Sequence, residues 1–225
     1  MKINHPLVKG SVKEIKPNIY CVLVDDDYDR AMLFCRYQEF YESPYKQFRG
    51  KYFTWPQYMR FYKDVWKKDT FTYPIDWSGY NIPCNVVQRA NHMFCNETEY
   101  DDIMNDIYFY CSHQSTTKYN KRVDWYLIGA SSKDLKTLDH EIAHGLYFTN
   151  PNYKKDVKKL IKDIKPSHYD KLKKKLVKMG YVDDKKIIDD EIQAFMSTGL
   201  YNGLDTKELK KYEQMFIENF KNYTK

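Results

Sequence analysis

The sequence contains no apolar run that approaches the ~20 residues needed to cross a membrane. Residues 1–6 also lack the apolar core of a secretory signal peptide. We therefore expect a cytoplasmic protein without a membrane partner.

Cysteine occurs five times, an odd number, and no two cysteines have the Cys-x-x-Cys spacing of a zinc knuckle or a redox motif. This pattern predicts free thiols in a reducing, intracellular compartment rather than a disulfide framework. The five positions are Cys21, Cys35, Cys84, Cys95 and Cys111.

Glycine and proline are also sparse, with eight residues each in a chain of 225, whereas aromatic residues make up 17%. This composition excludes general disorder and predicts a compact protein with an aromatic core. The length is sufficient for a single domain, 1–225, which can fold as two lobes around a cleft. We place the boundary between the lobes near residue 132, with a first lobe of 1–132 and a second of 133–225.

The net charge of +6 is concentrated in residues 154–178, which contain eleven lysines and three aspartates. One interpretation is that these lysines form the solvated face of two helices. The other is that they attract an acidic partner. A second stretch, 49–68, mixes basic and aromatic residues in a way that is compatible with stacking on nucleic-acid bases. Because aromatic residues occur throughout the chain, we interpret this stretch as a helix with a core face and do not expect a nucleic-acid partner.

The first half of the chain mixes strand and helix patterns. Apolar runs predict strands at 18–24 and 123–130, and a short alternating pattern predicts another at 70–73. Helical spacing and capping residues predict helices, and 77–83 reads as a loop. The predicted helices of this half are 28–41, 56–66 and 97–111, the last with Asn96 as its start.

The second half is predicted to be all helical. Asn150 and Pro151 form an N-terminal cap and first turn, and Asp184 is placed to cap a later helix. The predicted helices are 133–148, 151–164, 166–180, 185–198 and 206–223.

Residues 137–146 contain the sequence His-Glu-x-x-His on the first of these helices. Residues four apart lie on one face of a helix, so His140 and His144 can bind a single metal ion. Glu141 lies about 100° around the helix, beside the metal rather than on it. From that position its carboxylate can deprotonate a zinc-bound water. The alternative is a buried helix that carries two hydrogen-bonded histidines.

A catalytic zinc needs a third protein ligand. The metzincin pattern would place glycine and histidine at positions 147 and 150, but these are Tyr147 and Asn150. A carboxylate on a later helix is the other common solution, and Glu191 is the best candidate because the small residue Ala194 lies on its face. Asp190 and His168 are competing candidates.

These two segments resemble the zincin metallopeptidases. Residues 137–146 are similar to the extended zinc-binding signature of that superfamily. Glu191-x-x-Ala194 is similar to the glutamate helix of the gluzincin branch, including long-spacer forms such as the lethal-factor-like peptidases. The resemblance covers about an eighth of the chain and implies that His140, His144 and Glu191 bind one zinc ion and that Glu141 is the general base.

The resemblance also implies a fold. It is a zincin-like α+β fold with a mixed strand–helix N-terminal lobe, an all-helical C-terminal lobe and the metal site between them. The strand at 123–130 would belong to the sheet that accepts an extended substrate beside an edge strand. Zincins often use tyrosine or histidine to stabilise the oxyanion, and Tyr181 and Tyr201 are the candidates here.

We therefore expect a zinc-dependent metallopeptidase that hydrolyses peptide bonds in a peptide or protein substrate. A zinc amidase that acts on a non-peptide amide would use the same chemistry. A third alternative is a non-catalytic binding protein with a structural zinc, in which residues 154–178 hold an acidic partner.

Overall fold

The computed structural model describes residues 1–94, 97–200 and 203–225. The chain forms two compact units, Met1–Leu138 and Asp139–Lys225. This boundary lies a few residues after the one expected at residue 132. The described residues form ten helices and five strands, as an α+β protein should. None of these helices has both the length and the apolar character needed to cross a membrane.

The first unit contains a mixed five-stranded sheet with the strand order β1-β2-β3-β5-β4. β3 and β5 pair in parallel, and the other neighbours are antiparallel. β4 and β5 are buried along their whole length, and β4 lies at one edge. The strands are β1 (Lys2–Asn4), β2 (Lys9–Lys16), β3 (Ile19–Leu23), β4 (Tyr80–Pro83) and β5 (Tyr126–Ala130).

The strands predicted at 18–24 and 123–130 are confirmed as β3 and β5, and β5 is an internal strand. The strand predicted at 70–73 is wrong. Pro74 lies in the first turn of a short helix there, and the fixed backbone of proline suits that position. The loop predicted at 77–83 is wrong in its second half, which forms β4. The sequence lacks a clear signal for β4 because all four of its residues are buried and two of them are Asn81 and Pro83.

The first unit also contains five helices, which are α1 (Asp27–Glu42), α2 (Trp55–Trp66), α3 (Tyr73–Asp76), α4 (Cys84–Phe94) and α5 (Glu99–Tyr119). Asp26 caps α1 by accepting a hydrogen bond from the amide of Asp29. Thr98 caps α5 by accepting one from the amide of Asp101. The start predicted for α5 at Asn96 lies outside the described residues.

Aromatic side chains fill the core of the first unit, as the composition predicts. The ring of Phe48 meets the rings of Phe53, Tyr58 and Phe61 at centroid distances of 4.7–5.1 Å. Gly129 of β5 lies so close to Phe34 that a Cβ atom there would be only 2.5 Å from the ring. Of the cysteines, Cys21, Cys35, Cys84 and Cys111 are buried free thiols, whereas Cys95 lies outside the described residues.

The second unit is helical. It contains α7 (Pro151–Asp163), α8 (Pro166–Lys178), α9 (Lys185–Thr198), α10 (Lys210–Thr224) and most of α6 (Leu135–Thr149). The predicted caps are confirmed: Asn150 accepts from the amides of Asn152 and Tyr153, and Asp184 accepts from that of Lys186. α10 packs against α7 and α9. The predicted metal ligands on α6 and α9 all lie in this unit.

Helix α1 buries charged residues as well as apolar ones. The Arg36 guanidinium donates to the Asp101 carboxylate at 2.7 Å and to the backbone carbonyl of Phe53 at 2.8 Å. Glu39 is also buried. Burial raises the pKa of Glu39 above its usual 4.5. Hydrogen bonds from side chains such as Ser43 and Tyr58 lower this pKa but do not cancel the effect of burial. Folding therefore shifts the protonation equilibrium of Glu39 toward its neutral form.

Because folding raises the pKa of Glu39, ionisation of this residue makes the free energy of unfolding depend on pH. The pKa of Glu39 is higher in the folded than in the unfolded protein, so its protonated form stabilises the fold. This stabilisation is complete below pH 4.5 and is lost as the pH rises through the folded-state pKa. Glutamine keeps the shape of the side chain but cannot ionise. We expect Glu39→Gln to gain stability relative to the wild type as the pH rises above 4.5, measured by urea unfolding. A difference between the two proteins that is independent of pH would contradict this expectation.

Candidate metal centre

Helix α6 aims two imidazoles at one point. The Nε2 atoms of His140 and His144 lie 3.2 Å apart. Two nitrogen ligands of a tetrahedral zinc ion, each ~2.0–2.1 Å from the metal, would be separated by roughly 3.3 Å. The spacing of four residues therefore places the imidazoles as the sequence predicts, and their separation fits a shared metal ion.

Helix α9 brings the predicted third ligand to the same point. The Glu191 carboxylate has one oxygen 3.7 Å from the Nε2 atom of His144 and the other 3.8 Å from that of His140. One ligand atom from each of the three residues lies within 4.8 Å of the other two. In the described part of the chain, this is the single group of three or more metal-ligating side chains with such a geometry.

The Glu191 side chain fits a cation by its burial as well as by its position. It is only 3% exposed. Its Oε2 atom is buried, and the described residues provide no hydrogen-bond partner for it. Burial would raise the pKa of Glu191, but the imidazoles of His144 and His140 and a hydrogen bond from Tyr181 outweigh this effect and lower the pKa. A charged carboxylate with unused acceptor capacity faces two imidazole nitrogens, and this donor set suits zinc.

Asp190 contacts the other side of the His144 ring. Its Oδ1 atom lies 2.9 Å from Nδ1 of His144, the nitrogen that points away from His140. Burial would lower the pKa of His144, but the negative charges of Asp190, Glu191 and Glu141 outweigh burial and raise this pKa well above its usual value. Asp190, one of the competing candidates for third ligand, therefore orients the imidazole instead.

Glu141 is buried at 5% exposure on α6, directly after His140. Its charge contributes to the raised pKa of His144, which lies three residues further along the same helix. A carboxylate in this position can exchange a proton with a ligand bound at the metal. Its role as a base stays a prediction.

Of the two tyrosines predicted to stabilise an oxyanion, the structure describes only one. Tyr181 lies at the site, because its hydroxyl affects the pKa of Glu191 and its ring is 6.4 Å from that of Phe195. Tyr201 lies outside the described residues. The ring of Phe195 also packs against His140 at 4.6 Å, a contact for which the sequence has no signal.

His168, the other competing ligand, is not part of this group. Its Nε2 atom lies 3.4 Å from a carboxylate oxygen of Glu208, and its ring meets that of Tyr212. It therefore has a different environment within the helical unit.

The lysine-rich stretch 154–178 is divided between paired and solvated side chains. Lys171 pairs with Glu208 at 3.1 Å, and Lys173 pairs with Asp183 at 2.6 Å. On α7, the exposed lysines follow helical spacing and form one stripe, which fits the interpretation of a solvated helix face. They are Lys155, Lys158, Lys159 and Lys162. The acidic partner stays a prediction.

Comparisons of the chain with protein-family models, with curated proteins and with solved structures found no match. A function for this chain must therefore be inferred from the geometry of the site.

The convergence of three ligands can be tested by removing the carboxylate. We expect Glu191→Gln to weaken zinc binding by more than the ~10–100-fold loss typical of a group that only supports a ligand. Competition with a chelator measures the affinity, and elemental analysis measures the stoichiometry. Glu208→Gln is the matched control, because Glu208 contacts His168 in the same unit. An unchanged affinity in Glu191→Gln would refute its assignment as a ligand.

Proposed function

We propose that this protein is a zinc-dependent metallopeptidase of gluzincin type that hydrolyses peptide bonds. The observation that carries the proposal is the convergence of His140, His144 and Glu191, whose ligand atoms lie within 4.8 Å of one another. The His-Glu-x-x-His motif adds a carboxylate at the position that metal-assisted hydrolysis requires.

In this proposal, His140, His144 and Glu191 hold one zinc ion. When bound, zinc lowers the pKa of a coordinated water to near neutrality and polarises the carbonyl of the substrate. Three protein ligands leave a coordination position for water, as catalytic zinc sites do. The low pKa of Glu191 supports its role, since the carboxylate is charged and ready to bind a cation.

Glu141 would act as the general base and then as the general acid. Its carboxylate accepts a proton from the attacking water and delivers that proton to the leaving amine. Its burial removes competing water, which strengthens the electrostatic effect of its charge. The place of Glu141 on α6, between His140 and His144, supports this role.

Tyr181 is the better of the two candidates for oxyanion stabilisation, because it interacts with Glu191. A phenol has a single proton, so Tyr181 would exchange its hydrogen bond to Glu191 for one to the oxygen that gains charge in the transition state. Donation from Tyr181 would then lower the barrier without a change in its own charge.

The zincin-like fold belongs to this proposal. Its support is a mixed sheet with an antiparallel strand, β4, at one edge in the first unit. In the second unit, the motif helix α6 is followed by the carboxylate helix α9. The spacing of 47 residues between His144 and Glu191 is compatible with the long-spacer gluzincins that the sequence resembles.

Glu141→Gln tests the chemistry separately from metal binding. We expect this variant to bind one zinc ion with near-normal affinity but to lose hydrolysis by about 100- to 10,000-fold, the range typical of general acid–base catalysis. Digestion of a peptide library, read by mass spectrometry, gives the rate. Glu218→Gln changes an exposed glutamate on α10 and serves as the matched control.

Two outcomes would separate the alternatives. Full activity in Glu141→Gln would remove Glu141 from the mechanism. A wild-type protein that binds zinc, cleaves no peptide in the library and unfolds when zinc is removed would instead be a binding protein with a structural metal site.

A further inference from the structure

A chain of hydrogen bonds extends from His144 into the interior of the helical unit. Nδ1 of His144 lies 2.9 Å from Oδ1 of Asp190, and the Gln193 amide nitrogen donates to the same oxygen at 3.0 Å. The Tyr153 hydroxyl donates to Oε1 of Gln193 at 2.8 Å and lies 3.2 Å from the hydroxyl of Ser197. Four hydrogen bonds therefore connect α6, α7 and α9.

The direction of each bond in this chain is fixed by chemistry. An ionised Asp190 can only accept, so His144 must donate from Nδ1 and Gln193 must present its NH₂ group. The carbonyl oxygen of Gln193 then faces Tyr153, which must donate its single proton. Since that proton is used, the oxygen of Tyr153 can only accept, and Ser197 is the donor.

The network is buried except at Asp190, whose side chain is 23% exposed. Tyr153 and Gln193 are fully buried, and Ser197 and His144 are each 2% exposed. Burial raises the pKa of Tyr153, and the charge of Asp190 contributes to this shift, so the phenol remains a neutral donor. At the buried positions of Tyr153 and Gln193, a lost hydrogen bond leaves its partner unsatisfied.

We infer that Tyr153 is a positioning residue for the metal centre, acting through Gln193 and Asp190 to hold Nε2 of His144 toward the metal. Without the proton of Tyr153, the Gln193 amide loses the contact that fixes its orientation. A rotated amide would turn its carbonyl oxygen toward the Asp190 carboxylate, and two acceptors would then face each other. Asp190 would shift, and the ring of His144 would lose its fixed orientation. The inference rests on the proposed function, because it assumes that zinc binds to His144.

The test compares two Tyr→Phe substitutions in the same unit. Tyr153→Phe removes the hydroxyl from the network. Tyr169→Phe removes a hydroxyl that donates to Asp189 at 2.7 Å. Asp189 directly precedes Asp190 but is not a hydrogen-bond partner of His144. Zinc affinity is measured by competition with a chelator, and the coordination geometry is read from the visible absorption of the Co²⁺-substituted protein. Circular dichroism well below the unfolding temperature shows that each variant is folded.

We expect Tyr153→Phe to weaken zinc binding by about threefold to tenfold, less than the ~10–100-fold typical of groups that contact a ligand directly. We also expect an altered Co²⁺ absorption spectrum, whereas Tyr169→Phe should keep both the affinity and the spectrum of the wild type. A folded Tyr153→Phe protein with unchanged affinity and spectrum would overturn the inference. Equal losses in both variants would also overturn it, because they would indicate a general effect on packing.

A substitution at Gln193 tests the route and covers the case in which Tyr153→Phe does not fold. Gln193→Met has a similar volume but no amide, so it should weaken zinc binding at least as much as Tyr153→Phe. If Tyr153 acts through Gln193, the double variant should bind zinc no more weakly than Gln193→Met alone. Normal zinc affinity in Gln193→Met, or additive losses in the double variant, would refute the route.

The outcome for the wild type separates this inference from the proposed function. A wild-type protein that binds neither Zn²⁺ nor Co²⁺ would refute both. A wild-type protein that binds zinc, together with a silent Tyr153→Phe substitution, would refute the positioning role and leave the proposed function intact.

Discussion

The arrangement of the site depends on three electron-rich groups that meet at one place, where His144 and Glu191 are buried and His140 is partly exposed. The Nε2 atoms of His140 and His144 lie 3.2 Å apart, and the Glu191 carboxylate lies 3.7 and 3.8 Å from them. Lone pairs directed at one point repel each other unless a proton or a cation lies between them. The same attraction between opposite charges raises the pKa of His144 and lowers that of Glu191. A divalent cation would use all three groups at once.

Helix geometry explains why the positions of His140 and His144 could be predicted from the sequence. The spacing of His140 and His144 fixes their common face, whatever the rest of the chain does. Glu191 followed from the requirement for a third ligand, and the helix caps at Asn150 and Asp184 follow from local hydrogen bonding. These features depend on residues close in sequence, or on a chemical rule that selects among few candidates.

The remaining features depend on contacts between segments far apart in sequence, for which a single sequence has no local signal. β4 is a strand because it pairs with β5, although its own four residues do not alternate. Gln193 and Tyr153 are 40 residues apart, and only the packing of α7 and α9 brings them together. Tyr181 is one of 22 tyrosines, and the sequence selects it together with Tyr201, but only the structure shows that Tyr181 contacts Glu191.

Burial of charge alone does not identify the functional site in this protein. In the first unit, Arg36 is 1% exposed, pairs with Asp101 at 2.7 Å and stacks 4.0 Å from the ring of Phe94. Those contacts are directed to partners within the chain, so the charge of Arg36 is compensated where it lies. Arg36 Nε and Glu191 Oε2 both lack a hydrogen-bond partner in the described residues, but the neighbours of Glu191 are two imidazole nitrogens. The distinguishing property is the convergence of ligand atoms with unused capacity, and a cation is the group that such a set can bind.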